Sequence, residues 1–220
     1  MIKLQESLSP AEFGSKAASL SRLIQLGQNV PNGFVIHKDW FEAFQLEQLD
    51  IEDFKKVLKN ALESMSADTL MVRSSAIGED SDENSFAGQL ESYRSGPDVN
   101  SVYENTLRCW KSYNSNSVKA YEKSSGFPLN GMAVVVQEMV DPDFAGVVFT
   151  RSPIADSELL IEYTNGHGEK LVSGDVEPEC KTYSRKNNEV SCSDTGAFKS
   201  LVDICVGLEI SFGLPLDIEF

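Results

Sequence analysis

Nothing in this chain narrows its possible folds as much as the stretch GMAVVVQEMV at 131–140. Its apolar run is continuous and β-branched instead of alternating, the pattern of a buried strand. The sequence upstream reads mainly as helix. In FGSKAASLSRLIQLG, Ala17, Leu20, Leu23, Ile24 and Gly27 follow helical spacing, with Gly27 as the expected stop. VPNGFVI reads as a turn into a short strand. A second helical region spans Asp39 to about Met65 with a break near Leu49 and Asp50, and Ile51, Phe54, Val57, Leu58, Ala61 and Leu62 form its later apolar face. LMVRSS reads as a strand, and a helix is expected from Ser101 to about Ser124.

Downstream of the buried run the pattern changes to strands. DPDFAG reads as a turn and VVFTRSP as a strand, so the two runs are expected to form a β-hairpin. ELLIEYT and CKTYSRKNNEVSC suggest further antiparallel strands, the latter turning at Asn187 and Asn188. A helix from about Gly196 to Phe212 ends at Gly213, and LDIEF begins a last strand. Helices first and antiparallel strands later imply an α+β fold with two lobes, about 1–130 and 131–220.

Charge limits the partners. With 34 acidic against 19 basic residues the formal net charge is −15, which repels nucleic acid and anionic lipid. Any anionic ligand must be held by local basic groups or helix ends. Cys109, Cys180, Cys192 and Cys205 form no CxxC pair, so neither structural zinc nor a disulfide framework is expected. MIKLQESLSP lacks the apolar core of a secretory signal, and no apolar run is long enough for a bilayer, so the expected location is cytoplasmic.

The chain has no G-x-x-x-x-G-K-[ST] phosphate loop and no H-E-x-x-H, and GHGEKL has Leu171 where a dinucleotide fingerprint needs its third glycine. His37 and His167 are the only histidines, which excludes a histidine-rich metal site. The remaining candidates are basic or polar residues beside small ones. Lys16, close to Gly14 and just inside the first helix, can reach a phosphate that also meets the helix N–H groups, or can be a solvated lysine. Arg73 follows a strand, and its planar fork suits either bidentate phosphate contact or an ion pair with Glu79 or Asp80. SFAGQ supplies Gly88 for close main-chain approach to an anion, or is a plain surface turn. Gln137 and Glu138 interrupt the buried run, either as a strand edge that grips a purine with Met139 and Val140 over its faces, or as a strand emerging into solvent. Asp217 and Glu219 lie at i and i+2 on one strand face, as Mg²⁺ bound to phosphates would want and as a solvated edge strand also shows.

Taken in order, GSKAASLSRLIQLGQNVPNGFVI, VRSSAIGEDSDENSFAGQLESY, AVVVQEMVDPDFAGVVFTRSP, IEYTNGHGEKLVSGDVEP and FGLPLDIEF resemble the ATP-binding domain shared by pyruvate phosphate dikinase, phosphoenolpyruvate synthase and rifampicin phosphotransferase. SFAGQ and DIEF are most similar to the phosphoenolpyruvate synthase branch. The resemblance implies an ATP-grasp-like fold with a mainly antiparallel sheet and the nucleotide between two lobes. It implies that Lys16 and Arg73 contact ATP phosphates and offset charge during transfer, and that Phe86, Ala87, Gly88 and Gln89 cover them. Gln137, Glu138, Met139 and Val140 would form the adenine edge, and Asp217 and Glu219 would stand near Mg²⁺. The implied chemistry splits ATP into AMP, phosphate and a phosphoryl group, the β-phosphoryl, which a histidine on a separate domain passes to an acceptor such as pyruvate. No carrier-histidine motif occurs in this chain, and His167 is given no such role. The family's next strand carries a glutamine and an arginine at positions beyond Phe220, so the chain alone is expected to bind ATP poorly or turn over nothing. The spacing from Lys16 to Arg73 is also shorter than the family's, which suggests a trimmed lobe. The alternative is a non-catalytic nucleotide-binding or regulatory module of the same descent.

Overall fold

In a computed structural model, residues 1–78, 80–81, 84–85, 91–125, 128–168, 171, 176–186 and 189–220 are described. Their elements in chain order are β1 (Ile2–Lys3), α1 (Pro10–Gln25), β2 (Gly33–Ile36), α2 (Lys38–Gln45), α3 (Ile51–Leu62), β3 (Leu70–Ala76), β4 (Asp80–Ser81), β5 (Asn84–Ser85), β6 (Ser92–Ser95), α4 (Val99–Ser112), α5 (Asn116–Ser125), β7 (Met132–Glu138), β8 (Phe144–Phe149), β9 (Glu158–Asn165), β10 (Glu179–Lys186), β11 (Glu189–Val190), α6 (Ala197–Phe212) and β12 (Asp217–Glu219). The chain divides into two compact units, Met1–Val140 and Asp141–Phe220. With helices and antiparallel sheets throughout, the fold is α+β.

The apolar run of residues 132–136 becomes β7, the central strand of the first unit's sheet, whose order is β1-β2-β7-β3-β6. It pairs antiparallel with β2 on one side, Val135 opposite Val35, and with β3 on the other, Val135 opposite Arg73. Both faces of β7 are covered, which is why its sequence does not alternate. Met132, Val134 and Val136 join Phe54, Leu58, Val102 and Trp110 of α3 and α4 in one core. Ala133 and Val135 face the other way, against Phe13 and Ala17 of α1. Val134, Val135 and Val136 are fully buried, and each contributes roughly 1.5–3 kcal/mol relative to exposure. Aromatic contacts tie the helical layer together, with ring centroids of Phe41 and Tyr113 4.8 Å apart and those of Phe44 and Trp110 5.2 Å apart.

Local chemistry accounts for the helix limits. Ser9 caps α1 through a bond from the Ala11 N–H, and Pro10 occupies its first turn. The break expected near Leu49 and Asp50 separates α2 from α3, where Asp50 accepts the Asp53 N–H. The single helix expected from Ser101 to about Ser124 is instead two, α4 and α5, because Ser115 accepts the Val118 N–H and starts a new helix.

The second unit is an antiparallel sheet ordered β11-β10-β9-β8-β12. Helix α6 lays Val202 and Cys205 against Val148, Leu159, Ile161 and Tyr183, and stops at Gly213, which adopts φ +75°. The expected hairpin between the two apolar runs does not form. β7 pairs with β2 and β3, whereas β8 pairs with β9 and β12. Two neighbouring apolar strands satisfy the same burial pattern in separate sheets, and the residues between them bridge the units instead of turning a hairpin. The antiparallel strands expected at ELLIEYT and CKTYSRK are present as β9 and β10, which pair with Ile161 opposite Lys181. The turn assigned to Asn187 and Asn188 lies outside the described residues.

Candidate functional site

A kink in α1 organises the first unit's candidate residues. Gly14 sits inside the helix at φ +76°, ψ 164°, a conformation that L side chains rarely adopt. A Cβ there would lie 2.4 Å from the Ser75 carbonyl oxygen, so only glycine lets β3 approach this closely. The Ser75 hydroxyl donates to the Phe13 carbonyl at 2.7 Å and accepts the Ala17 N–H at 3.1 Å. It therefore bridges the kink and caps the helical segment that follows. Lys16 immediately precedes Ala17 in that segment's first turn, and Arg73 lies two residues before Ser75 on the same face of β3. One hydrogen-bonded junction thus holds the start of a helix, a lysine and a strand-anchored arginine within the first unit. Lys16 and Arg73 were legible as candidates in the sequence, but Ser75 was missed. The doublet Ser74-Ser75 following an apolar strand was the signal that could have marked it.

Phe86, Ala87, Gly88 and Gln89 lie outside the described residues. At the opposite end of β7 the structure commits several groups to the unit's own loops. Gln137 is buried and donates its amide to the Pro31 carbonyl at 3.0 Å. The Glu138 carboxylate accepts the Ser66 N–H at 2.6 Å and the Ser66 hydroxyl at 3.1 Å. These bonds, the main-chain one foremost, hold its pKa below the usual glutamate value. The N–H groups of Glu138 and Met139 go to the carbonyls of Asn32 and Thr69, and the Met139 sulfur accepts Arg94 Nε at 3.1 Å. Val140 ends the segment 55% exposed.

In the second unit Asp217 and Glu219 stand opposite Phe149 and Val147 on β12, the sheet's edge strand. Both are exposed and share one face. Partial burial of its carboxylate raises the Asp217 pKa above the ordinary aspartate value. Among the described residues no group of three or more His, Cys, Asp or Glu side chains could hold a metal. Two adjacent carboxylates on one face are nonetheless a fitting donor set for Mg²⁺, which keeps most of its ligands as water or phosphate oxygens.

A buried charge cluster beside β12 was not legible in the sequence. Arg185 on β10 donates through Nη1 to Glu209 Oε2 at 2.6 Å and to the Thr150 carbonyl at 2.8 Å. Its side chain is 3% exposed and that of Glu209, on α6, is 8% exposed. Arg151 Nε stands 3.5 Å from the other Glu209 oxygen. Thr150 also clamps β12, donating its N–H to the Leu216 carbonyl at 2.9 Å and accepting the Leu216 N–H on its hydroxyl at 2.8 Å.

Comparison with known proteins agrees with this architecture. The family model for the pyruvate phosphate dikinase AMP/ATP-binding domain matches residues 48–199. An uncharacterized phosphotransferase, YvkC of Bacillus subtilis, is 32% identical over 80% of this chain and 24% of its own length. A probable phosphoenolpyruvate synthase of Archaeoglobus fulgidus is 29% identical over 92% of the chain and 32% of its own length. The prodigiosin synthesizing transferase PigC of Serratia marcescens is 29% identical over 84% of the chain and 23% of its own length. The chain belongs to the pyruvate phosphate dikinase AMP/ATP-binding domain family. It spans about a quarter to a third of the length of these relatives. Among the described residues no helix is long and apolar enough to cross a membrane.

Proposed function

We propose that this domain binds ATP with Mg²⁺ and serves a dikinase-type phosphotransferase of the ATP-grasp-like kind. The β-phosphoryl group of ATP would pass by way of a histidine on another domain or chain to an acceptor such as pyruvate. The reading rests on the Gly14–Ser75 junction. A helix start offers main-chain N–H groups to an anion, and Lys16 and Arg73 at the same junction add two cationic side chains in a protein of net charge −15. Such local positive charge is what a phosphate needs to bind against the overall field.

Lys16 and Arg73 would contact phosphate oxygens and offset the charge that develops as the phosphoryl group leaves, which is the main task of protein groups in this chemistry. Phe86, Ala87, Gly88 and Gln89 would cover the phosphates. Adenine would lie against the strand edge at Gln137 to Val140, with Met139 and Val140 giving apolar cover. The amide of Gln137, the carboxylate of Glu138 and the N–H groups of Glu138 and Met139 serve the unit's own loops, so recognition of the base would fall to the other main-chain groups of Met139 and Val140. Asp217 and Glu219 would hold Mg²⁺, which would supply positive charge to offset that of the phosphates. The acidic surface disfavours nucleic acid and anionic membranes as partners, which suits a cytoplasmic enzyme.

Thermal denaturation with and without Mg·ATP tests this reading. A ligand bound only by the native state adds roughly 2.7 kcal/mol at a hundredfold excess over its dissociation constant. The melting temperature is expected to rise, and Arg73→Ala to remove most of the rise while leaving the nucleotide-free transition cooperative. No shift at saturating Mg·ATP would overturn the ATP reading.

A further inference from the structure

We infer that Arg94 is a further nucleotide-contacting residue of the first unit and that its guanidinium takes the α-phosphate. The inference rests on the ATP reading above and adds to it a second arginine from the same sheet. Strand register sets the placement, because residues directly opposite each other on antiparallel strands share a face. Ser92 lies opposite Arg73, and Arg94 and Gln137 both lie opposite Met71. The face on which Ser75 meets α1 therefore carries Arg73, Met71, Arg94 and Gln137 as well. Helix α1 covers only part of it. Met71 and Arg73 are half-buried, while Ser92 and Arg94 on the edge strand β6 are exposed. From α4, on the other side of the sheet, the Asn105 amide donates to the Arg94 carbonyl at 3.2 Å and fixes its main chain. The guanidinium reaches Met139 Sδ through Nε at 3.1 Å. Among the described residues no acceptor takes its two terminal amino groups, the fork that binds two phosphate oxygens at once.

These groups follow one another along the sheet in the order of a nucleotide's parts, and all of them belong to the first unit. Ser75 meets α1 at the kink, and Arg73 comes two residues before it on β3. Met71, level with Arg94, comes two residues earlier still, roughly 7 Å along the strand. Thr69 lies two residues beyond that, and its carbonyl accepts the Met139 N–H. With the terminal phosphates at Lys16 and Arg73 and the base at Met139, the phosphate nearest the sugar falls at the level of Arg94. A thioether accepts a hydrogen bond without balancing its donor's charge. The contact with Met139 thus orients the fork and leaves its charge to an anion. An arginine that served only Met139 would instead cover the sulfur and contribute nothing that depends on charge.

Titration of Mg·ATP, AMP and adenosine into the wild-type protein and into Arg94→Met and Arg94→Lys separates these roles. Arg94→Met keeps an apolar stem beside Met139 and removes the charge, whereas Arg94→Lys keeps the charge. Loss of one charge-assisted contact is expected to weaken Mg·ATP and AMP about tenfold or more in Arg94→Met. Adenosine affinity should stay within about twofold, and Arg94→Lys should retain part of what Arg94→Met loses. Arg94→Met that binds Mg·ATP and AMP as wild type overturns the inference and leaves the ATP reading standing. Equal losses for adenosine and AMP, with a lowered ligand-free melting temperature, assign Arg94 to holding Met139 and also overturn it. A wild-type protein that binds none of the three overturns the ATP reading and this inference together.

Discussion

At Ser75 one hydroxyl meets two main-chain groups of α1, the Phe13 carbonyl and the Ala17 N–H, at the turn where the Gly14 kink interrupts the helix. Both bonds are buried, so Ser75→Ala exposes no group to water that could replace the lost partner. Each unsatisfied group costs about 1–3 kcal/mol, and a loss of that size is expected in equilibrium urea denaturation. Gly14→Ala should cost more than Ser75→Ala, since it adds positive-φ strain to a Cβ placed 2.4 Å from the Ser75 oxygen. A Gly14→Ala protein as stable as wild type would refute this account of the kink. These residues are separated by about sixty positions in the chain, so no local pattern could have paired them. Lys16 and Arg73 were legible as candidates because each sits beside small residues. That Ser75 joins their surroundings is a tertiary fact.

Among the helices, α4 has the best-defined start. The Asp98 carboxylate accepts the N–H groups of Asn100 and Ser101. The hydrogen bonds from Ser101 are the main reason its pKa lies below the ordinary aspartate value. With the folded pKa depressed, the cap's contribution is fully present above the unfolded aspartate value. It is lost as pH falls through the lower, folded value. Asp98→Ala is therefore expected to cost about 1 kcal/mol near neutral pH and less at pH near 3, measured as the difference in urea midpoints at the two pH values. A cost that does not shrink in acid would show that the side chain acts by packing and not by charge. The Asp50 cap of α3 sits at the break that apolar spacing had marked. The Ser115 cap dividing α4 from α5 went unread, because the apolar pattern on both sides of it suits one continuous helix.

Over the whole molecule, each unit carries its own apolar core. The first packs helices on both faces of its sheet, and the second packs α6 against one face. Residues 1–140 produced alone should unfold in one cooperative urea transition, while residues 141–220, with a single core and a length near the limit for independent stability, should have a lower midpoint. A 1–140 fragment without a cooperative transition would show that its cores need the rest of the chain. The sequence by itself determined that residues 131–140 hold a buried strand and that helices mix with antiparallel strands, and it singled out cationic and acidic residues as candidates for phosphate and metal. Periodicity and side-chain chemistry are local properties, and they survive into any fold that buries the apolar faces. Only the tertiary structure decided that β7 joins β2 and β3 instead of β8, that Ser75 caps the kinked helix, and that Arg185 pairs with Glu209. Burial patterns state how much of a strand must be covered but not by what, and choosing among equally apolar partners depends on contacts between residues far apart in the chain.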